Sequence, residues 1–299
     1  MRAHEERESQ PEPERAPLAR LGPVTTAQVL TRLQRTAGNA AVGRVLARQG
    51  TATIPARDAV QREIFYDRSN FKDRFDGIVD RGRGRIVLRM KVSLSPAPQL
   101  VNQHTGEFDA STLAMVAKFR TDFEDVVERY WSGAHALKPL GPLDSNIKYE
   151  TKVDVVFTDS EPHAELWLHP KTIDAETGEA ARSCASPADG YGNKGVGNFQ
   201  AGDNVEKERK WKYKGEDYFF YGNTSAHEFG HLLGLDHVHH RGSDENAYGV
   251  TPEQSMDIMG RGGVVSPRDM EPFLKIAKRY GQDMAPEPKW NAWTVVDSG

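Results

Sequence analysis

Residues 227 to 237 read HEFGHLLGLDH, and the rest of the chain is best read outward from them. His227 and His231 are four residues apart, so on a helix both imidazoles share one face, one turn apart, within reach of a single ion. Glu228, beside the first histidine, can reach a water on that ion without becoming a ligand. Gly234 comes three residues after His231, where a glycine in the left-handed region can end the helix and turn the chain. The turn would return His237 as a third ligand. Three histidines leave one position of a tetrahedral zinc site open, the arrangement of a catalytic rather than a structural site. The first five residues alone arise easily by accident. Adding Gly234 and His237 at fixed offsets lowers that chance to on the order of 1 in 10,000 per chain.

Working outward, the flanks predict an α+β domain. Upstream, residues 218–221 (YFFY) read as a strand leading into a helix over 224–233. Residues 170–215 hold few large apolar side chains and much Gly, Asp, Asn and Lys, the composition of a long loop region. Before them, 164–168 (AELWL), 152–158 (KVDVVFT) and 85–95 (RIVLRMKVSLS) read as strands, the last ended by Pro96 and Pro98. Residues 109–131 predict a long amphipathic helix with Leu113, Val116, Phe119, Phe123, Val126, Val127 and Tyr130 on one face. Downstream of His237 an irregular stretch runs to about 265. A last helix then starts at Ser266, with Pro267 at its first position, Asp269 at its third and Gly281 as its stop.

The organisation expected is an N-terminal extension over 1–60, a domain over 61–281 and a tail over 282–299. Residues 1–24 are rich in Glu, Arg and Pro and predict disorder. Residues 25–48 show helical spacing interrupted at Gly38-Asn39, and 49–60 read as a linker. The 299-residue chain has a formal net charge of −4, which gives no footing for nucleic acid. Its single cysteine, Cys184, excludes an intramolecular disulfide. No segment is apolar for long enough to insert in a membrane. The first residues carry no apolar signal-peptide core, so the expectation is synthesis in the bacterial cytoplasm without a signal peptide.

HEFGHLLGLDH resembles the HExxHxxGxxH motif of the metzincin clan of zinc peptidases. The clan also carries a methionine turn beneath the metal. Here Met259, in Ile258-Met259-Gly260, resembles the clan methionine, with Met256 as the alternative. Astacins and serralysins place a tyrosine two residues after that methionine. This chain has Arg261 there and is more similar to the matrixin arrangement. The resemblance spans roughly 61–281, with motif-grade support over 227–260. It implies a twisted mixed sheet with a long helix, an active-site helix and a C-terminal helix. It implies one Zn2+ on His227, His231 and His237, and Glu228 as general base in hydrolysis of a protein or peptide substrate. Substrate would extend along an edge strand, for which 164–168 is the candidate, with a pocket wall from Gly260 to Ser266.

Weaker signals complete the reading. Cys184, in Arg182-Ser183-Cys184-Ala185, reads as an ordinary thiol, with a latency ligand like that of matrixin propeptides as the alternative, although it lies inside the domain. Residues 189–193 (DGYGN) and 202–204 (GDN) are low-grade candidates for a Ca2+ loop. His104, His135, His163, His169, His239 and His240 read as structural or exposed. Residues 33–48, LQRTAGNAAVGRVLAR, resemble a short motif of bacterial proteins associated with contractile injection systems. That resemblance implies an injection particle as partner and export of the chain as an effector. A second reading makes the chain a non-catalytic zinc-containing adaptor or particle component. A degenerate site should lack Glu228 or one of the histidines, and all four residues stand.

Overall fold

The computed structural model describes residues 63–102, 105–141, 146–170, 182–239, 245–284 and 292–298. The expected disordered extension and the helical module at 33–48 lie outside them. The chain divides after residue 60, and the described residues belong to the second unit.

That unit is α+β, built on a mixed sheet. Its elements, in chain order, begin with strands β1 (Glu63–Tyr66), β2 (Asp76–Asp80) and β3 (Arg85–Pro96), then helix α1 (Ala110–Trp131). Strands β4 (His135–Pro139), β5 (Tyr149–Phe157), β6 (Ala164–His169), β7 (Cys184–Ser186) and β8 (Gly195–Gln200) follow. A hairpin of β9 (Lys207–Tyr213) and β10 (Glu216–Gly222) leads into helix α2 (Thr224–Leu232). The chain then forms the short α3 (Pro252–Met256), helix α4 (Glu271–Met284) and strand β11 (Trp293–Asp297).

β3 is the axis of the sheet. It pairs in parallel with β5 on one side, from Arg85↔Glu150 to Val92↔Phe157. On its other side the first half pairs antiparallel with β2 and the second half pairs in parallel with β6. The strand order is β11-β4-β5-β3-β6-β8-β7, with β1 and β2 attached beside β3. All the rungs between β3, β5, β6 and β8 are parallel, while the edge strand β7 runs antiparallel to β8.

Alternation explains why RIVLRMKVSLS forms this axis. Ile86, Leu88, Met90 and Val92 are fully buried, in one core with α1, α2 and α4. The residues between them face the other way, where Arg85 pairs with Glu150 at 2.8 Å and Arg89 with Asp154 at 2.7 Å. Each is an opposite-charge pair directly across a parallel rung. α1 starts at Asp109, whose carboxylate accepts the Thr112 N–H at 2.7 Å. It buries Phe119, Phe123, Val126, Val127 and Trp131, while Leu113, expected on that face, is exposed.

Four expectations are corrected. Residues 164–168 form the core of β6, which lies between β3 and β8 and is not an edge. Its central side chains, Leu166 and Leu168, are buried as an interior strand requires. Residues 170–215 are not one loop, since β7, β8 and β9 fall within them. The last helix opens as a 3-10 turn over Pro267–Met270, and its α-helical part runs through Gly281 to Met284. Gly281 is buried in that helix and does not stop it. Finally, 282–299 is no tail. β11 pairs with β4, and Trp293 packs on Tyr149 and Tyr280 at 5.5 and 6.2 Å between ring centroids. Among the described residues, no helix is long and apolar enough to cross a membrane.

Candidate metal centre

α2 is fixed from three sides. The Asn223 side chain caps its N-terminus by accepting the Ala226 N–H at 3.1 Å. The Trp131 indole N–H, from α1, donates to the Ala226 carbonyl at 3.0 Å in the buried interior. Phe229 sits edge-on to Trp131 and Phe123, with centroids 6.0 and 6.4 Å away. This packing leaves Glu228 and His231 lining a cleft, with His227 buried beside them.

Gly234 ends the helix as the sequence implies. Its φ is 90°, and Leu235 N–H closes on the Gly230 carbonyl at 3.0 Å. A side chain there would also strike Arg74, whose guanidinium lies 1.8 Å from where a Cβ would stand. The turn brings His237 back, with its ring centroid 4.6 Å from His231 and 5.3 Å from His227. One ligand-type nitrogen from each of the three histidines lies within 4.8 Å of the others.

Tautomers follow from the second nitrogen of each ring. His227 Nδ1 lies 2.7 Å from the Ile258 carbonyl, and His231 Nδ1 lies 2.8 Å from the Leu235 carbonyl. A carbonyl only accepts, so both Nδ1 atoms carry the proton and both neutral rings turn an Nε2 lone pair inward. His231 Nε2 and His237 Nε2 stand 3.1 Å apart. Nitrogens about 2.0–2.1 Å from a tetrahedral zinc ion lie at about that mutual separation. Burial, then the neighbouring His231, push His227 down to about 3, which keeps it neutral and fit to be a ligand. The donor set therefore fits a zinc ion.

Met259 is fully buried under α2, whereas Met256 is 45% exposed. Gly230 explains the approach, because a Cβ at that position would stand 2.3 Å from the Met259 sulfur. The turn is held by Asp257, whose carboxylate accepts the Met259 N–H at 2.7 Å, and by Ile258 N–H on the Val264 carbonyl at 2.8 Å. One turn thus supplies both the sulfur beneath the helix and the carbonyl that orients His227.

Glu228 is buried beside these rings. Burial, then the charge of Asp203, raise its carboxyl to about 8, against the opposing pull of the Ala185 N–H and of Arg209. Its Oε2 has no hydrogen-bond partner among the described residues. A carboxylate so poised can take up and release a proton near neutral pH. The cleft in front of it, about 470 Å³, is bounded by β7, Arg74, His231, His237 and Tyr248. That volume is of the size of ordinary ligand sites.

Sequence reading missed four contributors. The edge strand is β7, and its Ala185 N–H bonds to Glu228. Arg74 reaches the floor of the cleft and donates to the Ala188 carbonyl at 3.0 Å. Asp203 accepts from Ser183 and from the Gln200 N–H at 2.7 Å. Tyr248 packs on His237, with centroids 4.1 Å apart. None has a local motif.

Other candidates separate from the centre. Cys184 is exposed on the cleft rim, with the Asn198 amide 3.8 Å from its sulfur, and it is not among the grouped ligand atoms. Asp189 accepts from the N–H groups of Tyr191 and Asn193 and from the Asn193 amide. His135 donates to the Val265 carbonyl, His163 accepts the Lys91 N–H, and His169 bonds to Gln99 and Asn198. His239 N–H bonds to the Ala247 carbonyl, and His104 and His240 lie outside the described residues.

Comparison with models of protein families, with curated proteins and with solved structures finds no match to this chain.

Proposed function

We propose that the chain is a zinc-dependent endopeptidase of metzincin type. The observation that carries this reading is a single juxtaposition. Three imidazoles converge, two of them oriented by backbone carbonyls, and a buried carboxylate with a free oxygen stands beside them. A zinc ion bound there supplies Lewis acidity, polarising a carbonyl and lowering the pKa of water. Glu228 then acts as the general base, taking a proton from water and giving it to the leaving amine.

The edge strand supports a peptide as substrate. Among the described residues β7 pairs with β8 alone, and it borders the cleft. An extended chain can add to that edge through backbone hydrogen bonds, with side chains entering pockets alternately. Delivery by an injection particle rests on the resemblance of residues 33–48 alone.

The test compares the full chain with Glu228→Gln on a broad peptide library. Wild type is expected to cleave, and the variant to retain its zinc while losing at least about 100-fold in rate, the size of a general-base contribution. Equal cleavage by both proteins would refute the assignment of Glu228, and a zinc-loaded wild type that cleaves nothing would refute the endopeptidase reading.

A further inference from the structure

Tyr248 stands at the cleft with no part in the chemistry described above. This residue lies in the irregular stretch between His237 and Met259. Its ring packs 4.1 Å from His237 at 43° and 5.8 Å from His227 at 27°, so it covers two of the three imidazoles. It lines the same cleft as Glu228, His231 and His237.

Its backbone is clamped. Ala247, just before it, accepts the His239 N–H at 3.1 Å, and Gly249, just after it, accepts from Arg261 Nη1 at 2.9 Å. The Tyr248 carbonyl lies 2.9 Å from where a Cβ on Gly260 would stand, so the loop is pressed against the methionine turn. Arg261 ties this packing together, since it also donates to Ser255 Oγ at 3.0 Å and stands over Trp211 at 4.9 Å. A group held this way needs little reorganisation when a substrate arrives.

Several other donors lining the cleft already have acceptors, although Arg182 lines it too. The Arg74 guanidinium donates to the Ala188 and Leu233 carbonyls, and the Ser183 hydroxyl donates to Asp203. Both Nδ1–H groups of His227 and His231 are spent on carbonyls. A phenol, by contrast, is protonated at neutral pH and can donate one bond. Peptide hydrolysis builds negative charge on the carbonyl oxygen, and preorganised donors at that oxygen are worth more than those that meet it only in the ground state.

We propose that Tyr248 is a further catalytic residue, whose hydroxyl donates a hydrogen bond to the oxyanion of the substrate carbonyl. This rests on the peptidase reading. The phenol keeps its proton throughout. Water adds its oxygen to the carbonyl carbon, Glu228 carries the released proton to the nitrogen, and the C–N bond breaks to give an acid and an amine.

The test uses zinc-loaded full-length chains of wild type, Tyr248→Phe and Tyr248→Leu. Tyr248→Phe keeps the ring and removes the hydroxyl. It is expected to hold zinc as wild type does in competition with a chelator. Its kcat/KM on a peptide that wild type cleaves is expected to fall about 100-fold, with the loss in kcat. A phosphinic peptide analogue, tetrahedral and not hydrolysed, should bind it about tenfold more weakly by calorimetry, of the order expected for one lost hydrogen bond to a charged group. If Tyr248→Phe matches wild type in kcat and in phosphinate affinity, the proposal is overturned. Loss of zinc by Tyr248→Leu beside a fully active Tyr248→Phe would likewise overturn it, reducing Tyr248 to a packing ring. Failure of the underlying reading looks different, because wild type itself would then cleave no peptide and bind no phosphinate, with or without zinc.

Discussion

At position 230 two effects oppose each other. Alanine is a better helix former than glycine by about 1 kcal/mol, so Gly230→Ala should stabilise a helix of this kind in isolation. In the folded chain the new Cβ would stand 2.3 Å from the Met259 sulfur and 3.2 Å from the Trp131 ring, both fully buried. Overpacking of this kind costs about 1–3 kcal/mol, and the packing wins. Gly230→Ala should lower the denaturant midpoint, whereas a variant more stable than wild type would mean that sulfur does not sit under α2. The same scale shows what the sequence could give. His227, Glu228, His231, Gly234 and His237 were legible because helical geometry and one glycine turn fix them within eleven residues. Arg74, Asp203 and Tyr248 were not, because Arg74 and Tyr248 reach the cleft, and Asp203 comes near Glu228, through tertiary packing that no local spacing encodes.

Among the elements, the methionine turn and the start of the last helix share a buried pair of acids. Asp269 accepts from the Ser266 N–H at 2.8 Å and from its hydroxyl at 2.9 Å, and Asp257 holds the turn. Burial, then the charge of Asp257, raise Asp269 to about 7. A carboxyl raised on folding binds more protons in the native state between its unfolded value and its folded one. Its ionisation therefore costs stability progressively from about pH 4 to 7, then no further. Asp269→Asn removes that cost, so the variant should gain on wild type over this window in denaturation measured at several pH values. A difference that does not change with pH would contradict the burial argument. Elements were unevenly legible. β3, β5 and α1 carry strong periodicity. β7 has three residues and β9 alternates charged and aromatic side chains, so neither offered an apolar pattern. The edge was misplaced onto β6, which β3 and β8 cover on both sides, because strand order is set by pairings that a single segment does not encode.

Across the whole molecule, the candidate metal centre draws on parts far apart in sequence. α2 and the turn after it carry the three histidines that could hold an ion, the methionine turn orients His227, and β7 and Arg74 border the cleft. Such a site does not exist in the unfolded chain, so zinc binding should add directly to folding stability. At a free zinc concentration 100 times the dissociation constant the gain is about 2.7 kcal/mol. Chelation should therefore lower the unfolding temperature of wild type, with much less effect on His231→Ala; an equal fall in both would place the metal elsewhere. The α+β class was legible from the alternation of strand and helix patterns, but the closing of the sheet by β11 was not, because one tryptophan anchors a strand that composition presents as a tail. The most direct measurement is the zinc content of the purified full-length chain beside His231→Ala. One zinc per wild-type chain and none in the variant is the result this account predicts. A well-folded wild type without zinc, or a variant that keeps it, would contradict the account.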